Sequence, residues 1–301
     1  MAIKSWVEAA RLRTLPLAFS CILLGNFIAI SQGYFSYEIL SLSLLTTLFY
    51  QVLSNYANDY GDGVKGTDAN RQGEKRAVAA GEITASQMRN AVVVFAILAW
   101  LSGAMLSYLG TQSLPNWIFY VFLVLNTAAV VSAIRYTVGG RAYGYKGYGD
   151  VYVLIFFGWV GVVGSYFLQA QELNLFVFLP ATSVGFLAMG VLNLNNMRDL
   201  ESDRIHGKMT VPVKIGRSKA KSYHAFLLIG ALICMALYVV FQTRGGWSWL
   251  AMATTPVVLL QLNKAVKADT PEEFDPLLKP LALTTLLFVL IAGLALNFHL
   301  L

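Results

Sequence analysis

The chain has 301 residues, of which 57% are hydrophobic and 13% charged, about half the charge of an average soluble domain. Mean hydropathy is +0.60 and the apolar residues fall in long blocks, which excludes the soluble folds otherwise open at this length. The net charge of +6 flanks those blocks and forms no stripe on one face, so it points to membrane topology and not to nucleic acid. Cys21 and Cys234 lie inside apolar runs with no paired spacing, so neither a disulfide framework nor a zinc site is expected. The first apolar run follows Glu8, Arg11 and Arg13 and lacks a small-residue cleavage site. It reads as a retained span.

Nine stretches have the length and apolarity of a membrane crossing: 14–32, 38–57, 91–110, 116–134, 151–169, 175–196, 223–241, 247–263 and 281–298. None carries a charge beyond Glu38 at the start of the second. Each is predicted helical, because a lone span in lipid must satisfy its own backbone hydrogen bonds, and the alternation of a membrane barrel is absent. The expected fold is an all-α integral membrane protein of nine transmembrane helices, a single domain over 1–301.

The connections alternate in character. The N-terminus and the loops at 58–90, 135–150, 197–222 and 264–280 hold 21 of the 22 Lys and Arg residues, and only Arg244 lies on the other side. By the positive-inside rule the N-terminus is cytoplasmic and the C-terminus outside. The same cytoplasmic segments hold 14 of the 16 acidic residues, the exceptions being Glu38 and Glu172. Topology does not require that second bias. It places the ionisable chemistry on one membrane face.

Two acidic constellations stand out. After the second span, Asp59 and Asp62 are three apart and share a face if the helix continues. Gly61, Gly63 and Gly66 are expected to loosen the backbone there, letting Asp68 fold back toward them. After the sixth span, Asp199 and Asp203 are four apart, with Asn195 and Asn196 one turn earlier. Asn58 and Asp62 repeat the spacing of Asn195 and Asp199. Acidic residues at helix ends facing water commonly do no more than meet solvent, but five aspartates in two matched clusters with amide neighbours supply hard oxygen ligands. Mg²⁺ suits such donors, particularly when one or two carboxylates share it with phosphate oxygens, and two facing clusters can hold ions around a departing diphosphate. Basic residues follow each cluster: Arg71, Lys75 and Arg76 after the first, and Arg204, Lys208 and Lys214 after the second. They suit phosphate oxygens and equally the positive-inside rule.

These motifs resemble the UbiA superfamily of membrane prenyltransferases, whose pattern is an NDxxDxxxD-like first motif and a DxxxD second motif after the second and sixth of nine helices. Here the first reads Asn58-Asp59-Tyr60-Gly61-Asp62, with Asp68 as a displaced last acid, and the second runs from Asp199 to Asp203. EAARLRTLPLAFS at 8–20, SNYANDYGDGVKGTD at 54–68, YGYKGYGD at 143–150 and NNMRDLESDRIHGK at 195–208 are most similar to the branch that prenylates 1,4-dihydroxy-2-naphthoate in menaquinone synthesis. The resemblance extends to about Lys214. It implies transfer of a polyprenyl group from its diphosphate to the naphthoate ring, with loss of CO₂. Mg²⁺ would be held by Asn58, Asp59, Asp62, Asp68, Asp199 and Asp203. It also implies catalytic roles for Asp62, Asp199, Asp203, Arg76 and Lys208, and substrate contacts from Asn58, Asn195, Asn196, Tyr136 and a nearby cation. The family's YxxxK element is altered: Tyr136 is followed four places on by Gly140, then by Arg141 and later Lys146, either of which can stand for the lysine.

A polyprenyl tail belongs in the bilayer and its diphosphate in water, so this reaction belongs at the interface. Tyr56, Tyr60, Tyr136, Tyr143, Tyr145 and Tyr148 sit where ring faces stabilise an allylic cation, or where an interfacial aromatic belt is expected. His206 lies beside the second motif, and a solvated loop histidine is its simpler reading. The rivals are a prenyltransferase of another aromatic acceptor such as 4-hydroxybenzoate, and a secondary transporter, whose charged or broken spans are not seen. The DGxxAR opening of CDP-alcohol phosphotransferases is absent, since Asp62-Gly63 continues as Val64-Lys65-Gly66-Thr67. The expected partners are the two substrates and membrane lipid, with no nucleic acid and no obligatory protein partner.

Overall fold

The computed structural model describes residues 3–67, 76–140, 142–243 and 246–298. Asp68, Arg71, Lys75, Arg141 and Arg244 lie outside the described residues. The described chain is helical, without strands.

A short α1 (Ile3–Ala10) turns at Arg11, whose φ of 49° is left-handed, into a 3₁₀ turn and then α2 (Leu15–Ser31). α3 (Tyr37–Lys65) is capped by the Ser36 hydroxyl, which accepts from the Ile39 N–H at 3.3 Å. Its 29 residues run about 44 Å, longer than a hydrocarbon core of about 30 Å. α4 (Ala85–Thr111) opens with a Thr84–Gln87 capping box, and α5 (Asn116–Arg135) follows after Pro115. α6 (Gly149–Ala170) widens to π geometry over Leu154–Val163. α7 (Phe178–Arg198) is followed by α8 (Leu200–Ile205) and α9 (Val211–Ile215). α10 (Arg217–Gln242), α11 (Thr255–Lys267) and α12 (Pro271–Asn297) complete the bundle.

Seven of these segments are long and apolar enough to cross a membrane: 3–31, 85–111, 116–135, 149–170, 175–198, 217–242 and 271–297. Two of the expected nine behave differently. α3 has the length, but Thr46, Thr47, Gln51, Ser54 and Asn55 line the cavity described below, and that lowers its apolarity. The expected continuous helix at 247–263 is broken into a 3₁₀ stretch, Gly246–Met252, and α11. Pro256 explains the break: it has no N–H to give a preceding turn and its ring clashes with the carbonyl four residues back, so it is tolerated only in the first turn of a new helix, where α11 places it.

Among the described residues the core divides into two large clusters and a small third one of Leu17, Ala188 and Ala282. Buried residues of α2, α6, α7, α10, α11 and α12 form one cluster, and those of α1, α3, α4 and α5 form another. Small residues let helices meet closely, as expected where packing drives association in lipid: a Cβ on Gly158 of α6 would lie 3.2 Å from the Cα of Gly185 on α7. α5 packs on α3 and α4 and buries only Asn126 and Val130 among its residues. The space between the two clusters is left as a cavity.

Candidate active site

The cavity has a volume of about 460 Å³. Its charged end is walled by Asn58 and Asp62 of α3, Arg76, Tyr136, Asn195 and Arg198 of α7, Lys208 and Asp275 of α12. Its other end runs between α4, α5 and α6 past Tyr152, Phe156, Leu106, Phe122 and Leu168. One space therefore joins a polar mouth to an apolar interior.

α3 stays helical through both first-motif acids and ends at Gly66, whose φ of 74° is the left-handed geometry glycine supplies. Gly61 and Gly63 do not loosen this helix. They are packing points, since a Cβ on Gly61 would lie 2.6 Å from Thr137 Oγ1 and one on Gly63 2.7 Å from Val78 Cγ1. Asp59 and Asp62 are both almost fully buried and differ in what they meet. Both oxygens of Asp59 accept backbone N–H groups, from Ala77 and Val78, at 2.9 Å each. Asp62 accepts from the Tyr145 hydroxyl at 2.8 Å, and that hydroxyl is 2.7 Å from Thr67 Oγ1. Burial, reinforced by the Asp62 charge, holds the Tyr145 phenol well above its ordinary pKa, so it stays a donor. Burial lowers the Lys65 ammonium, and Asp62 opposes that shift. Lys65 lies 3.9 Å from the Tyr145 ring centroid and donates to Thr137 O at 2.6 Å.

Across the cavity, at the end of α7, the helix bends at Asp199, yet the Asp203 N–H still reaches Asp199 O at 2.8 Å, which keeps the two acids one turn apart; both are buried and, unlike Asn195 and Arg198, neither lines the cavity. Lys208 is buried, 3.6 Å from Asp203 Oδ1 and 5.8 Å from the Tyr145 ring. Arg198, which the motif reading passed over, donates Nε to Asp199 Oδ1 at 2.7 Å and Nη2 to Asp199 Oδ2 at 2.9 Å. Its Nη1 reaches Asp275 Oδ1 at 2.6 Å and its Nη2 Asn195 Oδ1 at 2.7 Å. Its place between Asn195 and Asp199 was the available signal.

Aromatic rings continue inward from the mouth. Tyr136 meets Tyr143 edge-on with centroids 5.4 Å apart, Tyr143 stacks on Tyr152 at 3.8 Å, and Tyr152 stacks on Phe156 at 6.1 Å. Burial pushes the Tyr136 phenol up to about 12. Of the other sequence candidates, Asn196 is buried off the cavity wall, and its Oδ1 has no hydrogen-bond partner among the described residues. Lys146 is exposed, is not on the cavity wall, and its carbonyl accepts from Lys214 Nζ at 2.6 Å.

Among the described residues no three His, Cys, Asp or Glu side chains gather tightly enough to cage a metal. The oxygen donors at the mouth are Asn58, Asp62, Asn195 and Asp275, and Asp199, Asp203 and Asn196, whose Oδ1 is orphaned, are buried off the cavity wall. That set fits Mg²⁺, which takes one or two carboxylates together with substrate phosphates in place of an all-protein cage.

A family profile described as the UbiA prenyltransferase family matches residues 18–287. The 1,4-dihydroxy-2-naphthoate octaprenyltransferase of Escherichia coli (strain K12) is 43% identical over 95% of this chain and 94% of its own length. Its namesake in Haemophilus influenzae is 37% identical over 98% and 96%. A UbiA homolog from Aeropyrum pernix K1 superposes with a TM-score of 0.69 at 18% identity, covering 96% of this chain and 98% of that one. One from Archaeoglobus fulgidus, bound to GPP and Mg²⁺, superposes at 0.62 and 17% identity over 96% and 99%. The cavity beside the two aspartate motifs and these likenesses agree: the chain belongs to the UbiA prenyltransferase family.

Proposed function

We propose that this protein transfers a polyprenyl group from polyprenyl diphosphate to 1,4-dihydroxy-2-naphthoate, with loss of CO₂ and diphosphate, giving demethylmenaquinone. The observation that carries the reaction type is one continuous cavity with a charged mouth and an aromatic, apolar interior. The acceptor rests on relatives of that activity at 43% and 37% identity. In this reading the chain is one domain over 1–301 that crosses the membrane nine times. α3 and the segment 247–263 supply the two crossings beyond the seven apolar ones, and the mouth and N-terminus are cytoplasmic.

The substrate lies with its tail along Tyr152 and Phe156 and its diphosphate at the mouth. Mg²⁺, when bound, neutralises diphosphate charge and so eases its departure. Asp62, Asp199 and Asp203 would hold it, with the amide oxygens of Asn58, Asn195 and Asn196 and the displaced Asp68 completing the donors. Asp59 is the weakest member of the expected set, because both its oxygens accept fixed backbone N–H groups, whereas those of Asp199 accept from the Arg198 side chain. Arg76 and Lys208, both buried on the cavity wall, offer cations to the phosphate oxygens as negative charge builds on them. Lys208 and Lys65 flank Tyr145, which makes them stronger candidates for the family lysine's work than Lys146; Arg141 lies outside the described residues. The faces of Tyr136, Tyr143 and Tyr152 lower the energy of the allylic cation, and the apolar interior keeps water from capturing it.

The test is the product mass after incubating purified protein with Mg²⁺, a polyprenyl diphosphate and 1,4-dihydroxy-2-naphthoate. The expected result is a prenylated naphthol lacking the carboxylate, lost when Mg²⁺ is chelated and lost in Asp62→Ala and Asp199→Ala. Product with 4-hydroxybenzoate alone would refute the acceptor. Product from neither would refute the reaction.

A further inference from the structure

Arg198 is a buried cation with two acidic partners on different helices. Its side chain is 3% exposed, and four N–H···O contacts between 2.6 and 2.9 Å fix it to Asp199, Asn195 and Asp275. Asp275 lies near the start of α12, 44% exposed, on the same cavity wall. The motifs gave the last helix no part in the site. Asp199 cannot serve a divalent cation and remain a full counter-charge to Arg198, and a buried guanidinium deprived of its counter-charge is strongly disfavoured.

We propose that Asp275 is a positioning residue that keeps Arg198 neutralised and in place when Asp199 turns to the metal and diphosphate. This rests on the reading of Asp199 as a metal ligand above. The last helix thereby becomes part of the metal site's electrostatics without touching the metal. Asp275→Asn keeps the side-chain shape and removes the charge, so Arg198 is left with Asp199 as its acidic partner and competes with the cation for it.

The test is Mn²⁺ binding, read by electron paramagnetic resonance in the presence of inorganic diphosphate, on full-length wild type, Asp275→Asn, Asp275→Glu and Asp199→Asn. Asp275→Asn should weaken Mn²⁺ binding by about 10-fold or more. Asp275→Glu should restore it to near the wild-type value, and thermal unfolding without Mn²⁺ should show all variants folded. Mn²⁺ binding by Asp275→Asn that is unchanged or tighter, beside a weakened Asp199→Asn, would overturn the role of Asp275 alone. Unchanged binding by Asp199→Asn would overturn the ligand reading and this inference with it.

Discussion

Asp59 offers the sharpest test of how the site is built. Its carboxylate accepts the consecutive N–H groups of Ala77 and Val78 at 2.9 Å each, and the next residue back is Arg76, whose side chain walls the cavity. Hydrogen bonds to a charged acceptor contribute about 1.5–3 kcal/mol each, so Asp59→Ala removes about 3–6 kcal/mol from this local attachment, before relaxation. Both amides are then left in a protein interior without their acceptor. At about 1.4 kcal/mol per tenfold, local opening should become at least about 100-fold more frequent. Hydrogen exchange of the Ala77 and Val78 amides in detergent reads this directly. The KM for polyprenyl diphosphate should rise as Arg76 loses its fixed place, while the Mg²⁺ concentration for half-maximal rate stays near wild type. Unchanged protection of those two amides in a folded Asp59→Ala protein would refute the anchoring argument. A large increase in Mg²⁺ requirement with KM unaltered would return Asp59 to the ligand set.

Tyr145→Phe removes the donor to Asp62 at 2.8 Å and should cost about 1.5–3 kcal/mol of its positioning, seen as a fall of about tenfold or more in kcat/KM with the melting temperature little changed. Burial raises the phenols of Tyr136 and Tyr145 in the folded state, so their contribution to stability is fully present below the unfolded value near pH ~10 and is lost as pH rises beyond it. Absorbance of phenolate during alkaline titration should show these two ionising late, and early ionisation in the folded protein would contradict the packing. His224 is buried between helices with neither ring nitrogen hydrogen-bonded to a described residue. Replacing it with Leu should leave activity unchanged and raise stability by about 1–3 kcal/mol, measured by thermal unfolding; a lower melting temperature would show that the ring is satisfied.

Much of this protein is written in its one-dimensional pattern. Long uncharged runs force helices, because lipid offers no partner for backbone amides, and seven of the predicted spans are continuous apolar helices. The pairing of Asn58 with Asp62 and of Asn195 with Asp199 was also legible, since spacing of four on a helix places side chains on one face. Spacing assigns a face, however, and not a partner. Asp59 and Asp62 sit on one continuous helix, yet one holds the backbone at 77–78 and the other meets Tyr145. That difference comes from segments distant in sequence and brought close only by folding. The glycines of the first motif misled for the same reason: glycine loosens an isolated helix, but Gly61 and Gly63 face Thr137 and Val78, where a Cβ would not fit. Arg198 was in plain view beside Asp199, while Asp275 lies 77 residues further along, and only the packing of α12 against α7 brings them together. The sequence by itself determined the helices, their apolar surfaces and the segments whose charged residues gather at the polar end of the cavity. Which acid faces the cavity and which cation it meets were decided by the tertiary structure, because those depend on contacts between helices and not on periodicity within one.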